Sequence, residues 1–521
     1  MSAPELLHTP LLAQAGIRPD ATALIDRAET LTYAELGARV QACAAGLQDL
    51  GLAPGERVAI YLEKRVETVV ASFGSAAAGG VLVPINPILK PRQVAHILAD
   101  SEARILLTSP ERLATLSAEL GTESSGPEQV VLTGDPPSAG EERWSLHGWN
   151  ELVRSAEPTP PGLDEGSLAA ILYTSGSTGR PKGVVLSHAN LAIGARSVNE
   201  YLGNGPEDCL LAVLPLSFDA GFSQLTTGFA AGARVVLHNY LMPGGVVAAC
   251  AEHGVTGLTC VPPLWAQIAE REWPEQARHG LRYFANTGGR MPARLLARLR
   301  ELFPTAAPFL MYGLTEAFRS TYLDPAEVDR RPDSIGKAIP SAEVLVVGPD
   351  GEPRGPGVEG ELVHCGPLVA RGYWRDPERS AERFKPAPTA SRYGGRAVYS
   401  GDIVSADGDG FLYFVGRDDE MIKTSGYRVS PTEIEEAAYS SGLVGDAVAL
   451  GLDDERLGQR VVLAASPGGD GELDTEELLR ALGKDLPRFM LPAAVEVRAA
   501  LPRSPNGKFD RTALRRELEA G

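Results

Sequence analysis

The chain has 521 residues, a formal net charge of −18 and a hydrophobic content of 44%. Its length exceeds that of one ordinary hydrophobic core, so we expect at least two domains. The composition is typical of a soluble globular protein, and the acidity excludes an electrostatic footprint for nucleic acid or for an anionic membrane surface.

The cysteines and the apolar segments indicate the cellular compartment in which we expect the protein. Five cysteines are widely spaced and none forms a Cys-x-x-Cys pair. This pattern argues against a disulfide framework or a zinc site and is typical of a reducing cytosol. No apolar stretch approaches about 20 residues, so we expect no membrane span, and the start of the chain lacks the features of a signal peptide. We therefore expect a cytoplasmic protein.

The first 160 residues alternate helical and strand patterns. Thr32 is a candidate N-cap for a helix that runs towards Leu50. A strand at 57–62, an apolar helix at 66–78 that stops at two glycines, and a strand at 81–85 follow. Strands that alternate with helices imply βαβ units and a largely parallel sheet. The stretches 121–140 and 155–166 are rich in proline, glycine and acidic residues and predict surface loops.

A glycine- and hydroxyl-rich loop follows an apolar run at 168–172 that is typical of a buried strand. The loop reads Tyr-Thr-Ser-Gly-Ser-Thr-Gly-Arg-Pro-Lys-Gly at 173–183, and a short strand at 183–186 and a helix at about 188–201 come after it. Glycine lets the backbone approach a ligand closely, and successive amides beside hydroxyl donors form an anion cradle. The predicted phosphate-binding residues are Thr174, Ser175, Gly176, Ser177, Thr178, Gly179 and Lys182.

Two other interpretations of this loop fit less well. The P-loop of nucleoside triphosphatases requires G-x-x-x-x-G-K-[ST], but Pro181 stands five residues after Gly176, and Gly183 follows the lysine. A flexible linker seldom follows a buried strand directly and ends in Pro-Lys-Gly. The stretch resembles the superfamily of AMP-forming adenylating enzymes, which comprises acyl-CoA synthetases, amino-acid adenylation enzymes and beetle luciferases. In that family the loop holds the pyrophosphate of ATP.

The sequence Met-Tyr-Gly-Leu-Thr-Glu-Ala at 311–317 is a second match to the family. An aromatic ring can stack on adenine, a hydroxyl can donate to a phosphate oxygen, and a carboxylate can hold Mg²⁺ as a hard oxygen ligand. The resemblance assigns these roles to Tyr312, Thr315 and Glu316. Thr-Glu alone is an ordinary helix start, but the order of the motifs along the chain favours function.

Two later stretches complete the expected nucleotide site. Asp402 is expected to follow a tight turn at Gly401 and can accept both ribose hydroxyls, as the aspartate of the family does, although an Asx-turn at a hairpin is the alternative. The frame Gly-Arg-x-Asp…Ser-Gly-Tyr-Arg-Val at 416–429 resembles the hinge of the family. Arg417 then contacts the ribose and phosphate, and Asp419 is the hinge residue.

This resemblance implies the domain organisation. We expect an α/β fold with a large N-terminal domain, residues 1–416, built on doubly wound and mostly parallel sheets. A small mobile α+β domain, residues 417–521, follows. Within it the patterns predict helices at 431–440 and 474–482 and strands at 447–450 and 460–464. A turn at 505–507 projects Lys508, which coincides with the catalytic lysine of the family.

The acyl pocket is the least specific part of the resemblance. In amino-acid-activating members a Phe-Asp pair places its carboxylate against the substrate amine, and Asp219 matches that aspartate. A helix cap is the structural alternative for Asp219. Arg319 can reach solvent, pair with Asp219 or bind a polar substrate group, because burying a lone guanidinium is costly. The two charges favour a small polar or amino acid over a long fatty chain. The expected pocket residues are Asp219, Ser223, Thr287, Met311 and Arg319, with Gly288 and Gly289 near the adenine.

The resemblance predicts an ATP- and Mg²⁺-dependent ligase that adenylates a carboxylic acid. A second step transfers the acyl group to the thiol of CoA or of a carrier protein's phosphopantetheine. For this step the C-terminal domain swings about Asp419, withdraws Lys508 and brings Gly426 near a pantetheine tunnel. The alternative is a stand-alone amino-acid adenylation enzyme that loads a carrier protein. A luciferase-type oxygenase carries a lysine where this chain has Ser425, which counts against that class. Over 82–91 and 309–322 the chain looks most like bacterial acyl-CoA ligases associated with exosortase-type systems.

Overall fold

A computed structural model describes residues 5–520, apart from 28, 121–125, 135–143, 155–156, 175–180, 290, 292, 418–420, 469–471 and 503–508. The first elements are α1 (Thr9–Ile17), β1 (Thr22–Asp26), β2 (Glu29–Thr32), α2 (Tyr33–Asp49), β3 (Arg57–Tyr61), α3 (Val66–Ala77), β4 (Val81–Pro84), α4 (Pro91–Ser101), β5 (Ala103–Thr108), α5 (Pro110–Leu120), β6 (Gln129–Leu132), β7 (Ser145–Gly148), α6 (Trp149–Leu152), β8 (Leu168–Thr174), β9 (Lys182–Ser187) and α7 (His188–Leu202).

The middle of the chain continues the alternation and then changes to strands. Its elements are β10 (Cys209–Ala212), α8 (Asp219–Ala231), β11 (Arg234–Leu237), α9 (Pro243–His253), β12 (Gly257–Cys260), α10 (Pro262–Ala269), α11 (Glu275–Gly280), β13 (Tyr283–Asn286), α12 (Ala293–Leu302), β14 (Ala307–Tyr312), β15 (Thr321–Leu323), β16 (Ser334–Ala338), β17 (Glu343–Val347), β18 (Gly360–Cys365), β19 (Gly372–Tyr373), α13 (Pro377–Arg383), β20 (Phe384–Pro386), β21 (Arg396–Ala406) and β22 (Leu412–Arg417).

The last part is a smaller α+β unit. Its elements are β23 (Ile422–Thr424), β24 (Tyr427–Val429), α14 (Pro431–Ser440), β25 (Val444–Asp454), β26 (Gly458–Pro467), α15 (Thr475–Asp485), β27 (Ala494–Val497) and α16 (Arg511–Ala520). Strands β23 to β27 form one sheet, and its buried residues make a hydrophobic core of their own. A separate core and a separate sheet support the predicted C-terminal domain.

The remaining described strands form two sheets. The first has the order β19-β9-β8-β4-β3-β5-β6-β7, and its centre is parallel. The second runs β17-β18-β21-β22-β16-β15-β14-β13-β12-β10-β11-β1-β2, with β20 beside β21. Strands β10 to β14 are parallel, as the βα alternation predicts, and the segment from β15 onward is antiparallel. The mixed α/β class is therefore confirmed, with an antiparallel block in addition.

Local residue chemistry explains the element boundaries. Thr32 is the N-cap of α2 and forms a capping box with Glu35, as predicted. Asp474 caps α15, and Ser430 caps α14, which has Pro431 in its first turn. These caps satisfy amide groups that the first turn of a helix leaves without partners.

Two local predictions are wrong. The loop expected at 121–140 contains strand β6, because the apolar residues Val130 and Val131 pair with β5 and are buried. Asp402 does not follow a turn: strand β21 continues through it, and the pairing with β18 slips at this point. Such a bulge re-aims side chains without ending the strand. The Asx-turn lies five residues further on, where Asp407 accepts from the amides of Asp409 and Phe411.

All five cysteines are free and buried. Within the described ranges, the helices are too short or too polar to span a bilayer.

Candidate active site

The phosphate loop is closed at its base by strand pairing. Thr174 ends β8 and pairs with Lys182, which begins β9 in the antiparallel register. Thr174 lines the large cavity described below. Ser175, Gly176, Ser177, Thr178 and Gly179 lie outside the described residues. The hairpin therefore fixes where the loop starts and where its lysine emerges.

Lys182 contacts the glutamate that was expected to hold magnesium. Its Nζ lies 3.1 Å from Glu316 Oε1, and both side chains are largely buried. The hydroxyl of Tyr373 joins them: it donates to Glu316 Oε1 at 2.7 Å and accepts from Lys182 Nζ at 2.7 Å. The ammonium also lies 4.1 Å from the centre of the tyrosine ring. These three side chains, from β9, the turn after β14 and β19, form one polar cluster.

Glu316 is ionised in this cluster. Burial opposes its negative charge, but the positive charges of Lys182 and Arg428 and the Tyr373 hydroxyl outweigh burial and hold the pKa of Glu316 well below its usual range. Burial lowers the pKa of Lys182, and the adjacent carboxylate opposes this change. Burial and the same carboxylate raise the pKa of Tyr373, so its hydroxyl remains a donor. An ionised, nearly dry carboxylate is a suitable ligand for a hard cation.

The two residues expected at the nucleoside contact each other. The Tyr312 hydroxyl donates to Asp402 Oδ2. Asp402 is buried, and Tyr312 ends strand β14 three residues before Thr315. The bulge in β21 thus places a carboxylate beside the aromatic ring, where an adenosine would need both.

Asp219 and Arg319 form a buried ion pair. Arg319 Nη1 lies 3.0 Å from Asp219 Oδ2, and the arginine is only 3% exposed. Asp219 is the first residue of α8 and follows the N-cap, Phe218, so it is not the cap itself. Burial raises the pKa of Asp219, and the guanidinium opposes this shift. Of the three possibilities for Arg319, solvent exposure is excluded and the pairing is confirmed.

One cavity of about 2580 Å³ connects most of the predicted site residues that the structure describes, but Lys182 and Glu316 are not part of its wall. Its wall includes Thr174, Asp219, Thr287, Gly288, Gly289, Met311, Tyr312, Thr315, Arg319, Asp402 and Gly426. Ser223, expected in the acyl pocket, is buried in α8 and is not among the described residues of this wall. Met311 reaches the cavity from β14, where its sulfur accepts from the Tyr201 hydroxyl at 3.0 Å.

The C-terminal domain contributes Gly426 to this cavity. Gly426 has φ +82°, and a Cβ there would lie 2.8 Å from Val261 Cγ2. A Cβ on Gly288, which has φ +76°, would lie 3.1 Å from Val261 Cγ1. Only glycine tolerates this combination of positive φ and close approach. Glycines from two domains therefore meet at one valine.

Aromatic side chains continue this domain contact. The ring of Tyr427 lies 5.5 Å from that of Phe218, the neighbour of Asp219, and stacks on Phe489 at 3.8 Å. On another side of the interface, Gln93 Nε2 donates to Glu433 Oε1 at 2.6 Å. Tyr427, which follows Gly426, thus packs against Phe218 in the N-terminal part of the chain.

A sequence profile of the AMP-binding enzyme family matches residues 11–374, and the profile of the C-terminal domain of AMP-binding enzymes matches residues 433–508. The chain belongs to the AMP-binding enzyme family. It is an AMP-forming acid–thiol ligase that uses ATP, Mg²⁺ and a CoA or phosphopantetheine thiol.

Individual members of the family match over nearly the whole chain. Feruloyl-CoA synthase from Amycolatopsis sp. is 32% identical over 509 residues, which cover 97% of both chains. The dimodular nonribosomal peptide synthase from Bacillus subtilis is 31% identical over 96% of this chain and 20% of its own length. The structure of o-succinylbenzoate CoA synthetase from Bacillus subtilis, bound to a product analogue, has a TM-score of 0.84 at 26% identity and covers 100% of this chain and 98% of its own.

Several predicted residues of this AMP-binding enzyme are not described. Lys508 and Asp419 lie outside the described residues, and for Arg417 only its place at the end of β22 is known. Their roles stay predictions. The association with exosortase-type systems also stays a prediction.

Two residues that sequence reasoning did not assign belong to the site. Tyr373 lies in a Gly-Tyr-Trp stretch with no distinctive spacing, so only the fold brings it to Glu316. Arg428 lines the cavity and acts electrostatically on Glu316, and its place two residues after Gly426 was a usable indication.

The donor set fits magnesium held mainly by its nucleotide. Among the described residues, no three His, Cys, Asp or Glu side chains cluster as metal ligands. Mg²⁺ keeps several waters and usually takes one or two carboxylates together with substrate phosphates. A single carboxylate, that of Glu316, is enough to meet that requirement.

Proposed function

We propose that the protein couples a small carboxylic acid to CoA through an acyl-adenylate, with a phosphopantetheinylated carrier protein as the second candidate acceptor. The contact of Lys182 with Glu316 and Tyr373 carries this proposal, because it joins a triphosphate-binding cation to a magnesium-binding carboxylate. The 97% coverage of both chains in the match to feruloyl-CoA synthase supports CoA as the acceptor. Asp219, which matches the amine-binding aspartate, is the observation that favours the carrier-protein alternative.

In the first half-reaction, an oxygen of the acid's carboxylate attacks the α-phosphorus of ATP and the bond to pyrophosphate breaks. Lys182 and the glycine-rich loop stabilise the departing pyrophosphate, while Tyr312 and Asp402 hold the adenosine. Lys508 bridges the two reacting anions. Glu316 would hold Mg²⁺, which supplies charge neutralisation on the phosphates.

In the second half-reaction, a thiol sulfur attacks the acyl carbon and AMP leaves. We assign the described domain arrangement to this thiol-transfer step. The contact of Gly426 with Val261 and Gly288 supports the assignment, because the glycine then lies against the cavity wall. A hinge at 417–419 between domains 1–416 and 417–521 would let Lys508 replace Gly426 for the adenylation step.

The cytoplasm is the proposed compartment. Five free thiols are typical of a reducing environment, and ATP and CoA are available there.

Acid-dependent exchange of labelled pyrophosphate into ATP tests the first half-reaction. A panel of fatty, aromatic and amino acids should contain acids that support exchange. The acids that do are then offered with free CoA and with a phosphopantetheinylated carrier, and a faster reaction with CoA is expected. Exchange with none of the acids would contradict the proposed function, and thioester formation on the carrier alone would favour the second candidate.

A further inference from the structure

Arg319 carries a hydrogen-bond donor, its Nε–H, that the described part of the protein does not use. Its Nη1 donates to Asp219 Oδ2 at 3.0 Å and to the carbonyl of Phe318 at 2.9 Å. Its Nε is buried without a hydrogen-bond partner in the described part of the chain. The arginine lines the cavity and is 3% exposed. A buried donor without a partner destabilises the protein, so the unpaired Nε–H indicates a ligand that accepts its hydrogen bond.

A strained turn holds this arginine in place. Phe318 has φ +60° and ψ −57°, and the amide of Arg319 donates to the carbonyl of Ala317 at 2.6 Å, which is a γ-turn. The Phe318 ring packs against α7, where a Cβ on Gly194 would lie 2.6 Å from it. A non-glycine residue rarely adopts this strained backbone conformation, which persists where the surrounding structure imposes it. The fold thus directs Arg319 towards Asp219 at a local cost.

The charge balance decides which group of a substrate fits here. The carboxylate of Asp219 already faces a cation, so it does not need an amine for neutrality. Arg319 in turn presents an Nε–H edge, and a guanidinium uses such an edge to bind one or two oxygens in a plane. The pair is therefore neutral, and the group without a partner is a donor. Oxygen acceptors match it better than ammonium or alkyl groups.

We infer that Arg319 is a specificity-determining residue that binds an oxygen-bearing group of the acid, so that the substrate carries a hydroxyl, carbonyl or second carboxylate besides the carboxylate that is activated. Asp219 acts here as a positioning residue that neutralises and orients the guanidinium. This inference rests on the proposed function, because it concerns the acid that the same cavity activates.

The test is pyrophosphate exchange with acids of equal length that differ at one group. One series has a terminal methyl, hydroxyl, carboxylate or amine, and a second compares cinnamic acid with its ring-hydroxylated analogues. We expect kcat/KM for an oxygen-bearing acid to exceed that of its unsubstituted analogue by about tenfold or more, because a site built to pair a polar group rejects analogues that lack it.

The matched variant is the double substitution Arg319→Met with Asp219→Asn, which removes both charges and leaves neither buried alone. We expect it to reduce the preference ratio to about one, whatever the absolute rates of the variant are. Arg319→Lys keeps the charge without the planar edge and should give an intermediate ratio. A ratio, unlike a rate, does not change when a variant merely folds less well.

The outcomes separate the inference from the proposed function. Equal exchange with plain and oxygen-bearing acids, or an unchanged ratio in the double variant, would overturn the inference and leave the ligase function standing. Preference for the amine would also overturn it and would restore Asp219 as an amine ligand. Absence of exchange with every acid would overturn the proposed function and this inference with it.

Discussion

Lys182 Nζ lies 3.1 Å from Glu316 Oε1, so two residues expected to act on one triphosphate form an ion pair with each other. In the proposed mechanism, nucleotide binding exchanges this ion pair for contacts to phosphate and metal. Because both side chains are already buried, a large part of their desolvation is complete before the ligand arrives. The ion pair therefore keeps two opposite charges in a buried position without a net charge.

Replacing Tyr373 by phenylalanine should weaken this cluster but leave the direct contact between Lys182 and Glu316 in place. The substitution removes the hydroxyl that links Lys182 to Glu316, and a hydrogen bond to a charged group contributes about 1.5–3 kcal/mol. We expect pyrophosphate exchange to fall about 10- to 100-fold and the Mg²⁺ concentration for half-maximal exchange to rise. Exchange measured against free Mg²⁺ gives both values. Tyr393→Phe, at an exposed tyrosine, is the control, and an unchanged magnesium requirement for Tyr373→Phe would contradict the role.

Lys508→Ala should affect only the first half-reaction. We expect pyrophosphate exchange to fall by at least about 100-fold, because the lysine neutralises the charge that builds between the two reacting anions. Thioester formation from chemically prepared acyl-AMP should stay near the rate of the unmodified protein. Lys484→Ala, at an exposed lysine of the same domain, is the matched control. Exchange at a normal rate would remove Lys508 from the mechanism.

Gly426→Ala should show the reverse pattern. Its Cβ would lie 2.8 Å from Val261 in a backbone conformation that alanine rarely adopts. We expect thioester formation from acyl-AMP to decrease about tenfold or more, while pyrophosphate exchange is retained. Gly442→Ala separates strain from collision, because Gly442 also has positive φ, at +72°, but has open space around it. Equal effects of both variants would mean that the contact with Val261 is irrelevant.

The burial of Glu433 makes stability depend on pH, and the hydrogen bond from Gln93 opposes this effect in part. Burial is the largest cause that raises the pKa of Glu433, from 4.5 to about 7. Since the native state then binds the proton more tightly, the free energy of unfolding should fall as pH rises from about 4.5 to 7 and then level off. Glu433→Gln should therefore stabilise the protein by about 1–3 kcal/mol at pH 8 and hardly at pH 4.5.

Thermal midpoints at the two pH values test this sign. Glu472→Gln, at an exposed glutamate of the C-terminal domain that does not act on Glu433, is the control. A loss of stability at pH 8 in Glu433→Gln would show that the charged form is the favoured one. The helix N-terminus, which attracts negative charge, would then outweigh burial.

The parts of the site that sequence could predict are those fixed by short-range geometry. The strand before the phosphate loop, the helix after it and the cap at Thr32 depend on residues within one or two turns of each other. The antiparallel block after β14 was not predicted, because its strands pair over long separations and carry no βα alternation. The same holds for single contacts: Asp219 and Arg319 are 100 residues apart, and only tertiary structure chooses between pairing and exposure.

Val261 is a side chain against which glycines of both domains close. The size of the side chain at 261 therefore determines how closely the smaller domain can approach, since neither glycine leaves room for a larger one. A bulkier residue at 261 would hinder the approach of Gly426. Such a protein would release activated acid as the free mixed anhydride, available to whatever amine or water reaches it first, instead of handing it to sulfur.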